Sequence, residues 1–308
     1  MSTGFSRRRF LAISAAALLP GTARAGAPVT RWQGVALGAP ARMSLVGLEA
    51  SAAAPLFAAL EHEIARLEGL FSLYRPGSAL RRLNHNGRLD SPPAELLELL
   101  SLAGDIHHAT GGAFDPTIQP LWLLHAAAAG RRPDRRQVAE TRWRCGWQHL
   151  DFSPEAVVFT RPGMAVTLNG IAQGYIADRM ADLLRRRGLT DVLIDMGEIA
   201  ALGRRPGATP WRAAIALPDG EIVSRIELSD RALATSAPLG TLLDRAGQVG
   251  HILDPRDGRP GGRWQVASVS ARQAALADGL STAFCLLPRR AIATALARYP
   301  DAALEALV

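Results

Sequence analysis

Three oxygen-bearing side chains near the start of a predicted helix form a candidate metal site, although the set is weak when it is read alone. Asp278, Ser281 and Thr282 are spaced so that they share one helix face. A carboxylate and two hydroxyls on one face can converge on a hard cation, and Mg²⁺ prefers such oxygen ligands. The same residues also fit a simpler interpretation, in which Asp278 only balances the helix dipole.

Two glycine-containing segments and one histidine are further candidates. Residues 109–116 and 169–175 bring bare backbone groups beside predicted helix ends, where a diphosphate or a metal ion can approach. His251 lies in a predicted strand that leads into a turn at Asp254. Taken singly, each segment also fits an ordinary turn, and His251 also fits a core or turn position.

The residue types that are missing exclude several mechanisms. All 35 Lys+Arg residues are arginine, so P-loop NTPases, pyridoxal-phosphate enzymes and lysine aldolases, which need a lysine, are excluded. The seven histidines and two cysteines form no H-E-x-x-H or C-x-x-C motif, so a zinc or haem site has little support. The sequence also lacks a G-x-S-x-G nucleophile elbow.

The first 25 residues have the pattern of an export signal. A segment with three consecutive arginines, residues 6–11, precedes an apolar stretch and an Ala-x-Ala pattern at residues 23–25. This order is typical of a twin-arginine signal peptide and predicts export to the periplasm. The apolar stretch is about half of the roughly 20 residues that a transmembrane helix needs, so we predict no membrane anchor. Residues 26–308 are expected to form the exported domain.

The composition indicates a globular protein with little net charge. With 48% hydrophobic residues, the chain can bury a substantial core. Cleavage after Ala25 would lower the formal charge from +7 to +3, which argues against nucleic acid as the main partner. A disulfide between Cys145 and Cys285 can form in an oxidising compartment, although the apolar run around Cys285 favours a buried helix face for that residue.

Helices and short strands alternate along the rest of the chain. From the 3.6-residue period of apolar positions we predict helices at residues 55–70, 93–108, 121–130 and 174–187, with two more beginning near Ala274 and Pro288. Strands are expected at residues 35–48, 147–160, 192–194, 211–217, 222–228 and 264–270. The polar segment that ends at Arg136 is expected to be an exposed loop. Helices interleaved with short strand pairs favour an α+β fold over a doubly wound parallel sheet.

Several of these segments, taken in order, resemble the ApbE family of Mg²⁺-dependent FAD:protein FMN transferases. The resemblance spans roughly residues 40–290, and its motifs are FSLY at 71–74, TGGAFDPT at 110–117, GIAQGYIAD at 170–178, TS at 235–236, HILDP at 251–255 and ADGLST at 277–282. Chance agreement does not account for six motifs in the same order.

The resemblance implies a fold and a reaction. The fold would be α+β with a T-fold-like architecture, in which mixed or antiparallel sheets pack with helices and the flavin lies in a cleft between two intimately packed halves. The enzyme would cleave FAD at its pyrophosphate and transfer FMN to a threonine or serine hydroxyl of a periplasm-facing flavoprotein. AMP would be the second product.

The resemblance also implies a set of site residues, position by position. The Mg²⁺ ligands would be Asp278, Ser281, Thr282 and the backbone carbonyl of Gly170. The FAD pocket would be lined by Met43, Tyr74, Ala113, Phe114, Asp115, Thr167, Gln173 and Leu253. Asp278 would act in catalysis together with His251, which we predict to be the base because an imidazole titrates near the working pH.

Three positions depart from the family pattern. Many members have lysine where Gln173 stands, so a charged contact becomes neutral and flavin affinity could change. Ala237 and the Gly197-Glu198-Ile199 segment differ from the usual glycine-rich forms and could reshape the acceptor groove. The segment 195–199 resembles the corresponding segment in the branch of the family that accompanies nitrous oxide reductase maturation. This resemblance would imply a membrane-bound flavoprotein regulator as the acceptor.

Two other functions stay open at this point. A periplasmic FAD pyrophosphatase would use the same metal site with water in place of the acceptor hydroxyl, giving FMN and AMP. A non-catalytic flavin carrier or assembly chaperone would hold FAD for a partner. A carrier would not need Asp278, Thr282 and His251, which favours the transferase.

Overall fold

Helices pack against antiparallel sheets throughout the computed structural model, which describes residues 16–18, 27–128, 132–244 and 249–308. This α+β architecture confirms the predicted fold class. The predicted signal peptide, residues 1–25, lies outside the described residues except for one three-residue strand. No helix in the described part of the chain is long and apolar enough to cross a bilayer.

The described residues contain fifteen strands and eight α-helices. The strands are β1 (Ala16–Leu18), β2 (Val29–Ala36), β3 (Ala39–Val46), β4 (Arg88–Asp90), β5 (Leu150–Phe152), β6 (Ala156–Phe159), β7 (Val192–Asp195), β8 (Ile199–Leu202), β9 (Trp211–Ala216), β10 (Ile222–Leu228), β11 (Arg231–Ser236), β12 (Leu253–Asp254), β13 (Arg259–Pro260), β14 (Ala267–Ala271) and β15 (Ala303–Leu307). The helices are α1 (Ala50–Phe71), α2 (Ala79–Asn86), α3 (Ala94–Ala109), α4 (Gln119–Ala127), α5 (Arg135–Arg142), α6 (Ala172–Arg186), α7 (Ala274–Phe284) and α8 (Arg289–Leu296).

A seven-stranded antiparallel sheet forms the centre of the fold, in the order β15-β14-β11-β8-β7-β3-β2. Its central strands β7, β8, β11 and β14 are buried on both faces, and successive residues of a strand point to opposite faces. In β7, Val192 and Ile194 belong to the main core with the helices, whereas Leu193 packs in a second cluster with residues of β9 and β10. The sheet therefore lies between a helical layer and the smaller sheet formed by β1, β9 and β10.

Two helices of the helical layer, α6 and α7, cross in close contact. A Cβ atom added to Gly174 would lie 2.4 Å from the carbonyl oxygen of Ala274, so a larger residue would force the helices apart. Gly174 is in the first turn of α6 and Ala274 begins α7. The crossing thus places the amino-terminal turns of both helices side by side.

Two short helices, α2 and α5, are not predicted from the apolar pattern. The segment expected to be an exposed loop instead leads into α5, which starts with a capping box between Asp134 and Gln137. None of the residues in α5 is buried. Its sequence therefore lacks the apolar period on which the helix predictions depend.

The two cysteines do not form the disulfide that the sequence left open. Both are free and buried, with Cys285 in the main core and Cys145 in a separate small cluster with Leu121 and Leu253. Burial raises the pKa of each thiol to about 12, so both stay protonated at neutral pH.

Candidate active site

A cleft beside the first turns of α6 and α7 brings together most of the residues that the sequence singled out. Eleven of them line it: Tyr74, Ala113, Phe114, Asp115, Thr167, Gly170, Gln173, His251, Leu253, Asp278 and Thr282. These residues come from separate helices, loops and one strand. The site is therefore assembled by the tertiary fold and not by any single segment of the chain.

Met43 and Ser281 are the two predicted residues that do not line the cleft. Met43 lies on β3 with 1% of its surface exposed, packed in the main core. Ser281 is fully buried behind the cleft, where its hydroxyl donates to the Asp278 carbonyl at 2.9 Å and lies 2.8 Å from the Ser236 hydroxyl. Roles for these two residues in binding FAD or a metal stay predictions.

Asp278 projects from α7 towards the start of α6. Its Oδ2 atom accepts a hydrogen bond from the Gly174 amide at 3.1 Å, and the residue is 4% exposed. Burial raises the pKa of this carboxyl to about 7, because the charged form is poorly solvated, and the nearby Asp178 adds to the effect. The sequence left open whether Asp278 only balances the dipole of its own helix. The structure instead places it on the amino terminus of α6.

Thr282 and Gly170 meet in the same part of the cleft. A Cβ atom on Gly170 would lie 3.1 Å from the Thr282 hydroxyl oxygen. The Thr282 hydroxyl is also 3.3 Å from the hydroxyl of Ser236, which lies at the end of β11. The loop before α6 and the last residues of α7 therefore bring the Gly170 backbone close to the Thr282 hydroxyl, in the cleft that Asp278 also lines.

Glu198 is a further residue of the site, which the sequence analysis named only within the departure at residues 197–199 and did not assign to the metal or flavin site. It lines the cleft, is 7% exposed, and accepts a hydrogen bond from the Thr235 amide at 3.2 Å. Burial raises the pKa of its carboxyl well above the ordinary range, and the charge of Asp278 raises it further. The sequence feature that could have indicated this site residue is an acidic residue directly after Gly197, in the turn that follows the buried strand β7.

Glu198 and Asp278 are thus two buried carboxylates near one another in the cleft, which the buried Asp115 also lines, and no arginine is among the described residues that line it. Because two buried negative charges repel each other, such a site favours either protonation of one carboxylate or binding of a cation. No three His, Cys, Asp or Glu side chains converge anywhere in the described residues. A cation here would therefore need hydroxyl or carbonyl oxygens in addition to the carboxylates.

His251 lies across the same cleft, and its ring interacts with the backbone of Thr241 and Pro238. Its Nδ1 is 3.3 Å from the Thr241 carbonyl oxygen, and a carbonyl can only accept, so we assign the proton to Nδ1. Burial lowers the pKa of the imidazole, which keeps the ring neutral at physiological pH. The unprotonated Nε2 is then the atom able to take up a proton.

The glycine-containing loop after α3 forms one wall of the cleft. Gly111 and Gly112 both have left-handed backbone conformations, with φ of 58° and 79°, which side chains other than glycine rarely adopt. The turn delivers Ala113, Phe114 and Asp115 to the cleft. Both oxygens of Asp115 already accept hydrogen bonds from the backbone, at 2.9 Å from the Thr117 amide and 3.2 Å from the Trp147 amide.

Gln173 connects two parts of the site. Its Nε2 donates to the Met196 carbonyl at 3.0 Å, which ties the first turn of α6 to the turn after β7. Tyr74 lies at the edge of the cleft with 55% of its surface exposed. Its ring can therefore contact a planar ligand without displacing core residues.

One protein family matches nearly the whole chain. The model of the ApbE family matches residues 37–308. The chain is 28% identical to the FAD:protein FMN transferase of Salmonella typhimurium over 284 residues, covering 87% of this chain and 81% of the relative. It is 30% identical to the FAD:protein FMN transferase of Vibrio cholerae over 244 residues, covering 74% and 73% of the two proteins.

Solved structures show the same fold. The apo form of the flavinyl transferase ApbE from Pseudomonas stutzeri has a TM-score of 0.77 at 27% identity, covering 89% of each chain. The flavin transferase ApbE from Vibrio cholerae has a TM-score of 0.75 at 26% identity, covering 88% of this chain and 91% of its own. The α+β architecture of this chain is thus shared with these flavin transferases.

Proposed function

This chain belongs to the ApbE family, and on that premise we propose that it transfers FMN from FAD to a threonine or serine hydroxyl of an acceptor protein. AMP is the second product, and Mg²⁺ is the metal cofactor. The relatives named above are FAD:protein FMN transferases, which supports an enzyme that uses FAD as its flavin source. The observation that carries the proposal is the convergence of Asp278, Thr282, Gly170 and His251 in one cleft.

The chemistry of the cleft fits a magnesium ion. Asp278 and Thr282, with the carbonyl of Gly170, would hold it, and Glu198 adds a second buried carboxylate nearby. A bound Mg²⁺ would neutralise the diphosphate of FAD and the charge that develops during phosphoryl transfer. Binding it would also relieve the cost of two buried like charges.

The groups of the protein then position the reactants and remove one proton. The acceptor hydroxyl oxygen forms a bond to the phosphorus of the FMN moiety, and the bond from that phosphorus to the oxygen of AMP breaks with its electron pair. The hydroxyl proton goes to Nε2 of His251, since Nδ1 already faces the Thr241 carbonyl. The same cleft excludes part of the solvent, which limits attack by water.

The proposal extends to the acceptor protein and to the compartment in which the enzyme acts. The twin-arginine pattern in residues 1–25 supports action in the periplasm. The Asp195-Met196-Gly197-Glu198-Ile199 segment supports a membrane-bound flavoprotein regulator of nitrous oxide reduction as the acceptor. Affinity capture from cells respiring nitrous oxide should recover this flavoprotein with the enzyme, and recovery of other flavinylated proteins alone would contradict this choice of acceptor.

The proposal is tested by incubating purified protein with FAD, Mg²⁺ and an acceptor domain that carries a threonine flavinylation motif. We expect an acceptor mass increase equal to FMN, an equal amount of AMP, and loss of both with EDTA or with Asp278→Ala. Asp182→Ala is the matched control, because Asp182 lies on the exposed side of α6 and pairs with Arg185. AMP and free FMN without an adduct would identify a pyrophosphatase, and FAD binding without turnover would identify a carrier.

A further inference from the structure

A second concavity, which we call the arginine groove, adjoins the cleft. It is lined by Arg142, Trp143, Arg161 and Arg256, together with His107, Gly112, Asp115, Ala139, Cys145, Gly146, Gln148 and Pro255. Asp115 and Pro255 line both the groove and the cleft. The volume of the groove is about 550 Å³, within the range of roughly 300–1,000 Å³ that is usual for ligand sites.

Two of the three arginines in the groove have no acidic partner among the described residues. Arg142 donates to the carbonyl of Arg256, and Arg161 donates to the carbonyl of Trp143 at 3.0 Å while its guanidinium lies 5.0 Å from the centre of that indole ring. Neither guanidinium lies within 4.0 Å of a described carboxylate. By contrast, Arg256 forms a two-point ion pair with Asp254, at 2.8 and 2.6 Å.

Nothing else that lines the groove neutralises these charges. The one carboxylate in its lining is Asp115, which is buried and already accepts hydrogen bonds from Thr117 and Trp147. Arg142 and Arg161 therefore give the groove a positive potential. Trp143, with 52% of its surface exposed, adds an aromatic contact of the kind enriched in protein interfaces.

We infer that the arginine groove binds an acidic segment of the acceptor protein, beside the residue that receives FMN. The inference rests on the proposed function, which requires a second macromolecule to reach the cleft from its open side. The groove adjoins that cleft, because Asp115 and Pro255 line both, so a segment bound in the groove lies next to the reacting groups. Guanidinium groups recognise carboxylates by paired, charge-assisted hydrogen bonds.

The test measures KM for the acceptor and KM for FAD separately in the Arg142→Glu/Arg161→Glu double variant. We expect KM for the acceptor to rise about tenfold, because charge reversal at an interface rim mainly slows association. KM for FAD should stay within about twofold, since no arginine lines the flavin cleft. Added salt should raise the acceptor KM of the wild type and have little effect on the variant.

Arg186→Glu/Arg187→Glu is the matched control, with the same change in charge. Both residues are exposed at the carboxyl end of α6, while the cleft lies at its amino end. This variant should leave the acceptor KM and its salt dependence unchanged. Thermal melting of both variants checks that neither is unfolded.

A binding measurement separates this inference from the proposed reaction. Fluorescence anisotropy without FAD would compare a labelled peptide carrying Asp and Glu around a threonine with the same peptide carrying Asn and Gln. We expect the acidic peptide to bind at least about fivefold more tightly, and the Arg142→Glu/Arg161→Glu variant to lose this preference. Equal binding of both peptides, or an equal rise of the FAD and acceptor KM values, would overturn the inference. Failure of the proposed reaction would show itself differently, as absence of any FMN adduct while the charge preference in binding persists.

Discussion

Asp178 and Asp278 each accept hydrogen bonds from the first turn of the other's helix. Asp178 in α6 accepts from the amides of Ala274 and Ala275 at 2.7 and 2.9 Å, and Asp278 in α7 accepts from the amide of Gly174 at 3.1 Å. Both helices therefore begin with a carboxylate supplied by the partner helix, which satisfies amides that have no partner within their own helix. This exchange fixes how α7 lies on α6, and it thereby fixes the direction in which Asp278 points.

Replacement of Asp178 should affect the metal site indirectly. Asp178→Ala removes the acceptors for both amides of α7, which we expect to lower the free energy of unfolding by about 1–2 kcal/mol and to weaken Mg²⁺ binding. Asp178→Asn keeps one carbonyl oxygen as an acceptor and should retain more of the Mg²⁺ affinity. Titration calorimetry with Mg²⁺ and denaturant unfolding measure the two effects. Equal Mg²⁺ affinity in the wild type and Asp178→Ala would contradict a positioning role.

The close crossing of α6 and α7 should not tolerate a methyl group. In Gly174→Ala the new Cβ would lie 2.4 Å from a backbone oxygen that cannot rotate away, so we expect a loss of about 1–3 kcal/mol in the free energy of unfolding. Gly69→Ala in α1 is the control, since a Cβ there meets no atom within 4 Å. It should stabilise the protein by about 0.5–1 kcal/mol through helix propensity. Opposite signs for the two variants in urea unfolding would support the contact, and a neutral Gly174→Ala would argue against it.

The raised pKa of Asp278 predicts a stability cost that depends on pH. Burial raises this pKa from 3.8 to about 7, so the contribution of the group to folding is present below about pH 4 and is lost as the pH rises through about 7. Asp278→Asn removes the ionisation. Without metal, we expect this variant to melt about 3–6 °C above the wild type at pH 8, with the difference disappearing towards pH 4.

Addition of Mg²⁺ should reverse that order. The ion binds the folded wild type and raises its melting temperature, whereas Asp278→Asn lacks the carboxylate and should respond little. Calorimetry with and without EDTA at pH 8 and at pH 4 gives all the comparisons. If Mg²⁺ raised the melting temperature of both proteins equally, Asp278 would not be a ligand.

His251→Ala should remove the proton acceptor and leave the binding steps in place. We expect the transfer rate to fall by about 10²–10⁴-fold, with FAD and Mg²⁺ affinities unchanged. Because burial lowers the pKa of His251, the wild-type kcat/KM should decline with acidification only below the ordinary histidine value of about 6.5. His85→Ala, at an exposed residue of α2, is the control. Full activity of His251→Ala with FAD and Mg²⁺ bound would show that another group is the base.

Local sequence patterns by themselves predicted several helices of this protein and the side chains that carry its chemistry. The apolar period of α6 and its Gly188 stop predict a helix at residues 174–187, and the structure has it at Ala172–Arg186. Such patterns are informative because a helix face or a strand face repeats within a few residues. The lysine-free composition likewise excludes mechanisms without any knowledge of the fold. Six ordered motifs, from 71–74 to 277–282, indicated the family and contain most of the residues that line the cleft.

The tertiary structure decided the relationships between residues that are far apart in the chain. Asp178 meets Ala274 across 96 positions, and Glu198 meets Thr235 across 37. No periodicity encodes such pairs, because they depend on which elements pack together and on the angle at which they cross. The second buried carboxylate, the fixed direction of Asp278 and the arginine groove all arise in this way. The sequence names the chemical groups, and long-range packing sets their distances, burial and charge.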